Sequence, residues 1–77
     1  MITGLVLIKL NPGEEKATLA EVKRITGVKN LTGTFGPWDA IATVEGKDLE
    51  TLASVVVGKV RAIRGVVNTE TLIAVKI

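Results

Sequence analysis

Two stretches decide the fold: Ile25-Thr26-Gly27-Val28-Lys29-Asn30 and Ile63-Arg64-Gly65-Val66-Val67-Asn68. They agree at Ile, Gly, Val and Asn, with an offset of 38 residues (25 to 63) in a chain of 77. In each, a helical pattern stops at glycine and an extended run begins. A period of half the chain, seen twice, reads as the duplication of a β-α-β unit and not as a solenoid repeat.

Around the first copy, the spacing predicts a helix from Pro12 to Thr26. Leu19, Val22 and Ile25 lie on its buried face with Ala20 beside them. Asn11 offers a cap, Pro12 suits the first helical position, and Glu14 stands at capping-box distance from Asn11. Gly27 suits a left-handed stop. Ile2–Leu10 is an apolar strand before this helix, and Val28–Thr34 a strand after it. Phe35-Gly36-Pro37 is a turn. The second half opens with a strand from Trp38 to Glu45. Gly46-Lys47-Asp48 then starts a helix with the stripe Leu49, Leu52, Val56, Lys59/Val60 and Ile63. Val55, Val56 and Val57 lower its intrinsic propensity, but the stripe holds for four turns until Gly65. Val66–Ile77 is the last strand.

The order β-α-β-β-α-β is the ferredoxin-like α+β arrangement, a single domain over residues 1–77. It predicts a four-stranded antiparallel sheet with both helices on one face. The other face of such a sheet is usually polar. Here Ile2, Val6, Ile8 and Leu10 point one way and Leu5 and Leu7 the other. Ile73, Val75 and Ile77 likewise oppose Leu72 and Ala74. Helices cover one face only, so a second sheet is expected on the other, pairing face to face as a dimeric α+β barrel. Size argues the same way. A domain this small is marginal without a staple, and the absence of cysteine leaves association as the common one.

Composition narrows the function. His, Cys and Tyr are absent, which removes most general bases, nucleophiles and zinc ligands. A binding or assembly module is expected, with no catalytic residue, metal or cofactor. No apolar run approaches the roughly 20 residues of a membrane span, and Met1–Leu10 lacks the basic start and cleavage site of a signal peptide. A cytoplasmic protein is expected. The pI near 9.2 invites a nucleic-acid reading. However, Glu14, Glu15, Asp48 and Glu50 fall at helix starts, and Lys23, Arg24, Lys59, Arg61 and Arg64 at helix ends. Two helix dipoles favour that placement. The sheet also lacks the exposed aromatics of an RNA-recognition surface.

Five motifs recur in the order and spacing of a known family. They are Pro12-Gly13-Glu14-Glu15, Ile25-Thr26-Gly27-Val28, Gly36-Pro37-Trp38-Asp39, Lys47-Asp48-Leu49-Glu50, and Ile63-Arg64-Gly65-Val66 followed by Thr69-Glu70-Thr71. Together they resemble the RAM domain (regulation of amino acid metabolism) of Lrp/AsnC transcription regulators. The chain begins at the first strand, so it resembles the stand-alone RAM proteins that lack the helix-turn-helix domain. The resemblance implies face-to-face dimers closing into larger rings such as octamers. It also implies an amino acid effector bound between dimers, and no direct contact with nucleic acid.

The family's Gly-x-aromatic-Asp turn falls on Gly36, Trp38 and Asp39, with Trp where Tyr or Phe is usual. Its threonine pair falls on Thr69 and Thr71, preceded by Asn68. A free amino acid needs an acceptor for its ammonium, donors for its carboxylate and an apolar wall. Asp39 can accept, the two threonine hydroxyls share one strand face and can donate, Gly36 lets the backbone approach, and Trp38 can form a wall. Each has a structural alternative: Asp39 as a turn acceptor, the threonines as strand formers, Gly36 as a hairpin residue, Trp38 at a dimer seam, and Asn68 as a strand-entry residue like Asn30. Two functions follow. One is an amino acid sensor acting in transcriptional regulation through a partner. The other is a ligand-free module that hetero-oligomerises with full-length Lrp/AsnC-type regulators.

Overall fold

A computed structural model describes residues 1–74. Strand β1 (Ile2–Leu10) leads into helix α1 (Glu15–Lys23) and strand β2 (Val28–Gly33). Strand β3 (Ala40–Gly46), helix α2 (Leu49–Val55) and strand β4 (Val66–Ile73) follow, with a π-helical segment, Val56–Val60, continuing α2. The sheet is antiparallel in the order β2-β3-β1-β4. The first strand of each half therefore lies at its centre. Alternation along β1 buries Gly4, Val6, Ile8 and Leu10 and leaves Thr3, Leu5 and Lys9 exposed. Val6 and Ile8 pack with Ala40, Ala42 and Val44 of β3 and with Val22, Leu52 and Val60 from the helical layer. Each fully buried Val, Leu or Ile contributes about 1.5–3 kcal/mol relative to exposure.

The duplication is visible in the backbone. β2 slips register against β3 between Val28 and Asn30, so Lys29 is the extra residue of a bulge. β4 slips against β1 between Val66 and Asn68, so Val67 holds the equivalent place. The asparagine after each bulge accepts from the next amide: Leu31 N at 2.9 Å for Asn30 and Thr69 N at 2.9 Å for Asn68. Glu45 N donates to Gly27 O and Asn11 N donates to Gly65 O, both at 2.8 Å. The two glycines nonetheless serve different ends. Gly27 has φ +107°, the left-handed stop. Gly65 is not left-handed; a Cβ there would run into Thr18 Oγ1 and lie 2.9 Å from Thr18 Cβ. It is glycine so that β4's entry can pack on α1.

The helices depart from expectation in three places. α1 starts at Glu15, not Pro12, because Pro12 and Gly13 form a turn with Gly13 at φ +87°. The Asn11 amide donates to the Glu14 carboxylate at 2.6 Å and does not cap a helix amide. Thr18, not Ala20, joins Val22 in the core. In α2, Leu49 is exposed, while Leu52, Val55, Val56 and Val60 are buried. Arg61 N reaches back five residues to Val56 O at 2.9 Å. This wider π turn lets Val60 follow Val55 and Val56 inward and leaves Lys59 in solvent. β4 ends at Ile73, and Val75 and Ile77 lie outside the described residues.

Asp48 caps α2, its carboxylate accepting from Thr51 N at 2.8 Å. The bonds from Thr51 hold the Asp48 carboxyl below its ordinary value. The folded form therefore binds this proton less readily than the unfolded form. Its contribution is full above the unfolded pKa and is lost as pH falls through the lower folded one. Thermal melts taken from neutral pH down through the carboxylate range should fall more steeply for the parent than for Asp48→Asn. Parallel curves would refute this.

On the face away from the helices, Leu5 pairs with Leu72 and Leu7 with Ile41. Leu5 is 44% and Leu72 47% exposed. The two-faced strands expected from the sequence are therefore present. No helix among the described residues is long and apolar enough to cross a membrane.

Candidate ligand-binding site

The connection between β2 and β3 is held from three sides. Thr34 Oγ1 donates to Trp38 O at 2.7 Å, and Thr34 N donates to Asp39 O at 2.9 Å. Asp39 N donates to Ile8 O at 2.9 Å, and the Asp39 carboxylate accepts from Leu10 N at 2.8 Å. Lys9 Nζ donates to Pro37 O at 3.3 Å. These bonds stop the strand pattern short of Trp38, so β3 begins at Ala40. Gly36 turns the chain at φ +118°; a Cβ would meet nothing there, so conformation and not space demands glycine.

Asp39 is thus half-buried at the C-terminal end of β1. Its partner is a β1 amide, not an amide of its own turn. A carboxylate offers about four lone-pair sites, so one bond to Leu10 N leaves acceptor capacity. Trp38 beside it is half-buried and Phe35 fully exposed. β4 passes the same end of β1 on the other side. Asn68 pairs with Lys9, Thr69 with Ile8 and Thr71 with Val6. The two threonines share a sheet face, as their spacing requires, and it is the face carrying the helices. Thr69 is half-buried and Thr71 exposed.

The structure therefore brings Gly36, Trp38, Asp39, Asn68 and Thr69 to one end of β1, from the two strands that flank it. Asp39 and β4 stand roughly 10 Å apart, two interstrand spacings. Thr71 stands apart from that end. It lines a groove of about 240 Å³ with Leu52, Val56 and Ile73, between α2 and β4. Asn68 already spends its oxygen on Thr69 N. Lys9 is a residue the sequence reading missed. It lies between Pro37 and Asn68 and can donate to a carboxylate. The signal was present, since Lys9 is the single charge in Ile2–Leu10.

Residues 3–77 match the family model described as the Lrp/AsnC ligand binding domain. The chain belongs to the Lrp/AsnC ligand-binding domain family. Its relatives include an HTH-type transcriptional regulator of Pyrococcus horikoshii, 29% identical over 75 residues. That match covers 94% of this chain and 50% of the relative. The chain thus spans about half the length of the curated relatives it matches. A solved Thermus thermophilus protein superposes with a TM-score of 0.93 at 34% identity, covering 100% of this chain and 96% of that one. A Neisseria meningitidis transcriptional regulator, solved as a complex with L-Met, superposes with a TM-score of 0.88. At 13% identity over 97% of this chain and 50% of that one, it shares the fold alone. The Lrp/AsnC domain is a ligand-binding unit of transcriptional regulators, not an enzyme.

Proposed function

We propose that this Lrp/AsnC domain senses an amino acid in the cytoplasm, at the interfaces of an oligomer, and acts on transcription through a partner without touching nucleic acid itself. The family match over residues 3–77 carries the reading. The apolar outer face bearing Leu5, Leu7, Ile41 and Leu72 supports pairing of two sheets. Dimers then close into a ring such as an octamer, and the ends of β1 from neighbouring dimers form the pocket. In it Asp39 takes the ammonium, Thr69 and Asn68, from the two faces of β4, take the carboxylate, and Gly36 and Trp38 form the wall, while Thr71 stays outside it in the groove between α2 and β4. The effector acts by linkage: a ligand held between dimers favours one assembly state over the other.

Calorimetric titration with the twenty amino acids tests this. At least one should release saturable heat, and Asp39→Asn should weaken its binding about 10–100-fold, the loss of a charged hydrogen bond. The asparagine oxygen still serves Leu10 N, so the melt should not move. An intact oligomer giving no heat with any amino acid would sink the sensor reading. One observation favours the second reading, an assembly module that joins full-length Lrp/AsnC-type regulators: the Asp39 and Asn68 side chains already serve the fold. Co-purification with such a regulator, in the absence of heat, would decide for it.

A further inference from the structure

A second cavity, of about 410 Å³, lies at the opposite end of the central strands, where Gly46 pairs with Ile2. Six residues of β3 separate it from the Asp39 end, roughly 20 Å at strand rise. Lys29, Lys47 and Lys59 line it, with Glu45 the acidic side chain on its wall. All three lysines are exposed. Its apolar lining is the exposed Met1 and the edge of the largely buried Val55, which packs beside the backbone of Gly27.

The duplication supplies an internal control. Val67 stands where Lys29 does, as the extra residue of the other bulge. The 38-residue offset that relates the helices puts Glu21 in the place of Lys59. Asn11 and Glu45 donate equivalent backbone bonds, so Gly13 occupies the place of Lys47. The same architecture thus folds with valine, glutamate and glycine at these three points. Lys29 and Lys47 also lie outside the helix ends, where a dipole would account for a cation.

The geometry points to a second ligand site here, for a small phosphate-bearing molecule of nucleotide type, with its phosphates on the three lysines and its ring against Met1 and the edge of Val55. Lysine is a flexible point-charge donor suited to phosphate oxygens. An apolar lining with a few convergent polar groups is the usual construction of a small-molecule pocket.

Equilibrium binding of ATP, inorganic pyrophosphate and a short DNA duplex to the full chain tests the assignment. ATP should bind saturably with one site per protomer, and pyrophosphate should compete with it more weakly because it leaves the apolar lining uncovered. The triple variant Lys29→Gln, Lys47→Gln, Lys59→Gln should lose at least tenfold in ATP affinity with an unchanged melt. A charge-matched control, Lys16→Gln, Lys23→Gln, Arg64→Gln, should keep parental affinity. Absence of saturable ATP binding would overturn the assignment. So would equal losses in both triple variants, or duplex binding that ATP does not displace.

Discussion

Gly65→Ala is expected to lower the melting temperature by roughly 10 °C or more. The new Cβ would lie 2.9 Å from Thr18 Cβ and overlap Thr18 Oγ1. Thr18 is only 3% exposed, so its side chain has little room to move aside. Overpacking of this kind costs about 1–3 kcal/mol and sometimes more. A domain of this size holds about 4–12 kcal/mol in all, and each kcal/mol moves the midpoint by about 4–8 °C. Two companions identify the cause. Thr18→Gly added to Gly65→Ala should recover part of the loss, because the obstructing atoms are gone. Gly33→Ala, where a Cβ meets nothing within 4 Å, should stay within about 0.5 kcal/mol of the parent. A Gly65→Ala melt equal to the parent's would mean that β4 and α1 do not approach as described.

The second large effect concerns assembly. Replacing Leu5 and Leu72 together by glutamate should convert the protein to a single 8.1 kDa species in light scattering at micromolar concentration. The two side chains lie opposite each other on β1 and β4 and are about half exposed in the protomer. Two carboxylates there would be desolvated by a second sheet, and burying unpaired charge is far costlier than the apolar contact it replaces. The same substitutions leave Val6, Ile8 and the helix-covered core untouched. Far-ultraviolet circular dichroism should therefore keep its folded shape. A variant of unchanged mass would place the interface elsewhere, and a parent that is already monomeric would remove the basis for ligand crevices between copies.

The duplication made the order of elements legible, because Gly27 and Gly65 recur with the same neighbours. The residues also showed that both sheet faces are apolar. They did not show why each glycine is there. Only the third dimension reveals that Gly65 makes room for Thr18 while Gly27 turns the chain. The start of α1 was misread because Asn11, Pro12 and Glu14 have capping chemistry, yet Gly13 at φ +87° turns the chain before the helix begins. Leu49 matched the helical period but is the first residue of α2, at the edge of the core, and stays exposed. At the candidate site, motif order pointed to Gly36, Trp38 and Asp39, whereas the bond from Leu10 N to Asp39 spans 29 positions and no local pattern encodes it. Lys9 was overlooked for a related reason. Its place beside Pro37 and Asn68 exists only once three strands are aligned.

Gly4 stands opposite Ile73 on adjoining strands, so the first strand and the last, at the sheet edge, bring the beginning and the end of the described chain together. The Phe35–Pro37 hairpin, solvent-exposed, is the natural place to cut. A circularly permuted gene that joins the old ends by a short linker and opens at that hairpin would encode β3-α2-β4-β1-α1-β2. That is again two copies of one unit in tandem, so the order in which the halves leave the ribosome is immaterial to the native topology.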